Sequence, residues 1–185
     1  EVAHTINPLE LSQKLAEYAQ NIGVKLLQQE VTDIKHFENK VTVSSKQGIT
    51  SFDQIIIATG AWSESLLNKL GYNLPIEGER GYSLDMPEHT ASQLTRPVAS
   101  AERRFIITPM KQGLRLAGTV EFAGLQRKAN IKRADMLYKN AQHIVKDMPD
   151  RNEVKSEGWL GFRPSLPDSL PVIGRAPQHN NIVFA

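Results

Sequence analysis

Trp159-Leu160-Gly161-Phe162-Arg163-Pro164-Ser165-Leu166-Pro167-Asp168, running on into Pro171-Val172-Ile173-Gly174-Arg175, is the stretch on which the reading of this chain turns. A Trp, a Phe and an Arg are set between glycines and prolines. Glycine lets the backbone turn or approach a ligand closely, and proline fixes φ. Arg163 is therefore expected on a stiff, irregular backbone, away from any solvated helix face. A guanidinium held that way suits a carboxylate, which it can grip with two parallel hydrogen bonds. The alternative use of such an arginine is to tie loops together through backbone carbonyls.

Working outward, the second informative stretch is Phe52-Asp53-Gln54-Ile55-Ile56-Ile57-Ala58-Thr59-Gly60-Ala61-Trp62-Ser63. The isoleucine run predicts a strand buried on both faces, as in a parallel sheet. Small residues follow at its carboxyl end, and Ser63 is placed to cap a helix from Glu64 to Leu70 that Gly71 would stop. A strand, a small-residue turn and a helix put backbone N–H groups where a nucleotide can approach. Packing alone also explains small residues in such a turn.

These motifs together carry a family resemblance. Gly161-Phe162-Arg163-Pro164, Pro167-Asp168 and Pro171-Val172-Ile173-Gly174-Arg175 resemble the closing segment of the FAD-dependent D-amino-acid oxidase and dehydrogenase family. Arg80-Gly81-Tyr82-Ser83-Leu84 resembles the family's Lys-Gly-Tyr-Ser crossing between domains, with Arg80 in place of the usual Lys. The Ala58-Thr59-Gly60 turn is similar to one in flavoproteins with two dinucleotide-binding domains. Gly118, Thr119 and Glu121 match a Gly-Thr-x-Glu-like hairpin end.

The resemblance implies that Arg163 binds the substrate carboxylate, with Phe162 and Tyr82 as further pocket residues. Tyr82 reads equally as a half-buried strand aromatic. It implies FAD contacts at Val31, through its amide, at Thr59 and Gly60, and at Val172, Ile173 and Gly174. The implied reaction is oxidation of D-amino acids to 2-oxo acids and ammonia, with no obligate side-chain base. Two alternatives stay open: an amine oxidase of the glycine or sarcosine oxidase type, and a non-catalytic binding module. Family dehydrogenases feed the respiratory chain, which implies an electron-acceptor or peripheral membrane contact in the full-length protein.

The implied fold is α/β of the α+β kind, the central part of a two-domain flavoprotein. Residues 1–74 would be a partial FAD-binding domain, 75–160 a substrate-binding domain with a mixed or antiparallel sheet, and 161–185 a return into the FAD-binding domain. The chain opens on Glu1, enters the short stretch Val2–Ile6, and stops in the apolar run Asn181–Ala185. It is read as an internal piece of a longer protein. No Gly-x-Gly-x-x-Gly loop lies within it to hold a pyrophosphate. Alone, the piece is expected to bind FAD weakly or not at all and to be catalytically silent.

Composition narrows the other classes. Twenty-two basic residues stand against 20 acidic ones in 185, a net charge of +2, well mixed along the chain. That is a poor footprint for nucleic acid, which selects a basic face. There is no cysteine, so neither disulfide nor thiol nucleophile exists, which suits a reducing, cytoplasmic compartment. The five histidines are scattered without ligand spacing.

Elsewhere, Asn7-Pro8 predicts an N-cap and first helical residue, with Gly23 as the stop. Strands are expected over 24–27, 31–37, 41–43, 97–100, 104–110, 114–122 and 182–184. A long helix is expected over 129–147, where Ala134, Leu137, Tyr138 and Ala141 recur at helical spacing.

Overall fold

A computed structural model describes residues 6–185. The stretch Val2–Ile6 lies almost wholly outside these residues. Two compact units form, each discontinuous in sequence: residues 26–79 with 163–185, and residues 80–162 grouped with 1–25.

The first unit is built from two three-stranded sheets. Strands β1 (Val31–Phe37), β2 (Lys40–Ser45) and β3 (Gly48–Phe52) form an antiparallel meander in sequence order. Strand β4 (Ile55–Ile57) runs parallel to the later strand β11 (His179–Phe184), whose other edge pairs antiparallel with β10 (Gly174–Ala176). Helix α2 (Ser63–Lys69) follows β4 after a one-turn 3-10 helix, Gly60–Trp62. Ile34, Val41, Ile57, Leu67, Ile182 and Phe184 make its core.

The isoleucine run behaves differently from its sequence expectation. Ile57 is buried, but Ile56, which points to the opposite face, is 69% exposed, so the strand is covered on one face alone among the described residues. Nor does Ser63 cap α2. It is the first helical residue, and its hydroxyl lies 2.9 Å from that of Thr59. Gly71, at φ +83°, ends the helix as its sequence position predicts.

The second unit holds most of a five-stranded sheet ordered β6-β7-β8-β5-β9, while residues 77–79 and 163–165 at the ends of two of its strands belong to the first unit. Its strands are β5 (Glu77–Asp85), β6 (Val98–Ser100), β7 (Phe105–Met110), β8 (Gly113–Phe122) and β9 (Trp159–Ser165). Helix α3 (Lys132–Ala141) packs its Ala134, Leu137, Tyr138 and Ala141 stripe into a core with Leu84, Ile107 and Leu116. The helix is shorter than its periodicity predicts. The Tyr138 hydroxyl donates to the Pro149 carbonyl at 2.8 Å, and the segment after Ala141 folds back in turns around Val145.

Helix α1 (Pro8–Asn21) starts as expected: the Asn7 side chain accepts from the Leu9 and Glu10 amides, and Gly23 takes φ +95° beyond its end. It buries no residue among those described. Residues 24–27, expected as a strand, find no ladder partner and stay irregular. The 159–165 stretch is corrected in the opposite sense. It forms the edge strand β9 in place of an irregular segment, since an edge tolerates a proline that cannot donate to the ladder. No helix among the described residues is long and apolar enough to cross a membrane.

One turn in this sheet gives a sharp expectation. Gly113 has φ +126°, and a Cβ added there would stand 2.1 Å from the Met86 carbonyl oxygen and 2.6 Å from that of Pro87. Both oxygens are backbone and cannot swing aside. Gly113→Ala is therefore expected to cost about 3 kcal/mol or more, from left-handed strain plus overpacking. A urea titration of the variant against the parent chain reads this directly.

Candidate functional site

The first unit contains a cavity of about 420 Å³, within the usual range for small-molecule sites. Its walls are largely apolar: Leu74, Ile76, Leu166, Val172, Ile173 and Phe184 contribute to them. Gly60, Ser63, Glu79 and Arg163 also line it. The 166–173 segment, which turns at Pro167 and Asp168, supplies Val172 and Ile173, the latter 73% exposed. At Gly60, φ is +55° and nothing lies within 4 Å of where a Cβ would stand, so open space meets bare backbone there.

Arg163, near the end of β9, is not spent on backbone carbonyls. Its Nη1 donates to Glu79 Oε1 at 2.6 Å, and the guanidinium side chain is 61% exposed. A protein carboxylate thus sits on the arginine that the sequence singled out for binding one. Glu79 itself was not legible as a site residue. Nothing in its local sequence marks it, and only the pairing of Glu79 on β5 with Arg163 on β9 brings the two together.

The expected cofactor residues divide between two places in this unit. Gly60, Val172 and Ile173 line the cavity with Arg163. Val31 and Thr59 line a separate recess of about 300 Å³, beside Ile34, Phe52 and Ile56. Gly174 opens β10, with open space around it. The cavity's lining, mostly apolar with the Arg163 guanidinium among it, is chemically compatible with an apolar ring beside a carboxylate. The chain offers no glycine-rich loop for phosphates.

The other two expected substrate residues belong to the second unit. Tyr82 is 3% exposed, and its hydroxyl donates to Glu121 Oε1 at 2.5 Å while accepting from the Asn130 amide at 3.0 Å. The Tyr82 hydroxyl thus donates its proton within the second unit and uses one of its two acceptor positions there. Phe162 is half-buried, with the Arg80 guanidinium 5.7 Å from its ring centroid.

Arg80 is the most demanding residue in this unit. It is fully buried. Its Nη2 donates to the Arg127 carbonyl at 2.5 Å, and its Nη1 lies 3.1 Å from Glu121 Oε1, an ion pair without good hydrogen-bond alignment. Glu121 also receives Arg133 Nε at 3.3 Å. The Tyr82 hydrogen bond, joined by the Arg133 and Arg80 charges, outweighs partial burial and holds the Glu121 carboxyl below its ordinary value.

A second polar group lies on the meander side of the first unit. The His36 and His179 rings stand 4.4 Å apart, and His179 Nδ1 is 2.5 Å from the Tyr72 hydroxyl. Burial, reinforced by the neighbouring His36, pushes the His179 imidazole below its ordinary value. No group of three histidines and carboxylates is placed to hold a metal among the described residues.

Comparison with known proteins places these features in a family. The family model "FAD dependent oxidoreductase" (DAO) matches residues 2–185. A D-amino-acid oxidase from Bradyrhizobium diazoefficiens is 36% identical over 173 residues, covering 92% of this chain and 41% of that protein. A D-amino acid dehydrogenase from Vibrio vulnificus is 33% identical over 175 residues, covering 91% of this chain and 40% of that protein. The chain therefore spans about two fifths of the length of these relatives. Among solved structures, glycine oxidase from Geobacillus kaustophilus superposes with a TM-score of 0.82 at 24% identity, covering 95% of this chain and 47% of that one. At that identity the likeness concerns the fold alone. Both the family match along nearly the whole chain and the relatives above 30% identity point the same way: this chain belongs to the DAO family of FAD-dependent oxidoreductases.

Proposed function

We propose that the full-length protein carrying this chain oxidises D-amino acids to 2-oxo acids and ammonia, with FAD as cofactor. The observation that carries the reading is Arg163 holding a carboxylate 2.6 Å away in the cavity that Gly60, Val172 and Ile173 also line. The carboxylate there is Glu79's own, which stands in for that of a substrate. The relatives named D-amino-acid oxidase and D-amino acid dehydrogenase support the D-configuration.

In this reading Arg163 anchors the substrate carboxylate and so fixes which face of the α-carbon is presented. Leu74, Ile76, Val172 and Phe184 keep water from the reacting centre. The flavin, when bound, accepts the hydride that leaves the α-carbon. A neutral substrate amine supplies the electron pair for the forming C=N bond, so no side-chain base is required of this chain. Water then hydrolyses the imino acid to the oxo acid and ammonia. Residues 1–185 hold the carboxylate anchor and apolar walls but no phosphate loop, so this segment by itself is proposed to be silent.

The test is the visible flavin spectrum of the full-length protein, mixed without oxygen with D-alanine and separately with L-alanine. Bleaching by D-alanine alone is the expected result. A flavin that neither enantiomer bleaches but that sarcosine reduces would replace this reading with an amine oxidase. A colourless full-length protein would refute it.

A further inference from the structure

Glu79 occupies the guanidinium that the proposed reaction needs. We infer that Glu79 is an internal competitor for Arg163, a carboxylate that any carboxylate ligand must displace, and so a determinant of which ligands the site accepts. The inference rests on Arg163 being the carboxylate anchor.

Three observations support it. The contact is made through one nitrogen, Nη1, to one oxygen, Oε1, at 2.6 Å. The guanidinium fork carries five donors, and the contact with Glu79 uses one of them. A ligand carboxylate could therefore engage the fork with two bonds where Glu79 makes one. Next, the pair is open to solvent: the Arg163 side chain is 61% exposed and that of Glu79 25%. Exposed pairs are weak and break readily, so Glu79 can hold the arginine in the empty site without blocking it. Finally, both residues line the same mostly apolar cavity, so Glu79 released from Arg163 remains beside the incoming anion and repels it.

Selectivity follows from the balance. A ligand that grips Arg163 with both oxygens displaces Glu79. A ligand with one acceptor, or with a second negative charge facing Glu79, gains too little. The site is thus tuned toward monocarboxylates and against anionic side chains near the anchor.

Calorimetric titration of the full-length protein with benzoate, and with its uncharged counterpart benzamide, separates the possibilities. Glu79→Gln is expected to tighten benzoate about two- to five-fold, which is an exposed pair of about 0.4–1 kcal/mol converted at 1.4 kcal/mol per tenfold. Benzamide binding should stay unchanged. Glu79→Leu, which removes the charge in a different shape, should move benzoate in the same direction. Unfolding midpoints of both variants establish that the fold is intact. If benzoate binding is unchanged or weakened in the folded Glu79 variants while Arg163→Met loses it, Glu79 is no competitor and the anchor reading stands alone. Equal tightening of benzoate and benzamide would also overturn the competitor role, since the effect would then be steric. If Arg163→Met binds benzoate as the parent does, the anchor fails and the inference falls with it.

Discussion

Glu121→Gln is expected to unfold far more readily than the parent chain, while Arg80→Met, at the other end of the same ion pair, is expected to be mild. The asymmetry follows from burial. Arg80 is fully buried, and among the described residues it pairs with the Glu121 carboxylate, 3.1 Å away. Without that charge Arg80 keeps one carbonyl and the Phe162 ring. A buried charge stranded in this way costs about 3–5 kcal/mol. With a urea m-value of about 1–3 kcal/mol per molar, the midpoint should fall by roughly 1 M or more. Losing Arg80 instead leaves Glu121 with the Tyr82 hydroxyl and Arg133, so its carboxylate remains compensated. The double variant Arg80→Met with Glu121→Gln should recover most of the loss, and no recovery would show that the two residues act separately.

The same network has a pH signature. The folded Glu121 carboxyl titrates below its ordinary value of 4.5, chiefly because it accepts the Tyr82 hydrogen bond. A depressed carboxylate stabilises the fold fully above the unfolded value and loses that contribution as pH falls through the folded one. The parent chain is therefore expected to lose stability on acidification below 4.5, and Glu121→Gln to lack that component. Parallel urea titrations from neutral to acid pH would read the difference, and identical slopes for the two proteins would count against it.

Arg163→Met in the full-length protein is expected to weaken carboxylate substrates roughly 100-fold, about 2.7 kcal/mol, through loss of a charge-assisted anchor. Arg163→Lys should recover only part, because an ammonium is a point charge and cannot present two parallel donors. Arg163 lies on the edge strand β9 with its side chain largely exposed, so neither variant should disturb folding. The expected signature is thus a loss in kcat/KM at an unchanged unfolding midpoint. A variant that lost stability together with activity would point to a structural role instead.

Much of the architecture was legible from residue pattern. Asn7-Pro8 and Gly23 bracketed α1 because caps and helix stops are decided within a few residues. The strand expected over 114–122 became β8. The stripe in α3 identified its buried face, while its length depended on Tyr138 reaching Pro149.

Arg163, Val172, Ile173 and Gly60, named through the family resemblance, lie around one cavity, which places them together without assigning them a ligand. Tyr82, named as a pocket residue or a strand aromatic, donates its hydroxyl proton to Glu121, thirty-nine positions away in the chain. Local sequence could not reveal that partner.

By itself the sequence determined the ends of α1, most of the strands and the family to which the chain belongs, since each depends on neighbouring residues or on motifs kept in fixed order. Only the tertiary structure decided which charges meet. Pairing β5 and β9 in one sheet sets Glu79 on Arg163, and the hydrophobic burial of Arg80 makes Glu121 indispensable to it. Electrostatic partners are fixed by distance in space, and a strand's neighbour in a sheet can come from anywhere in the chain.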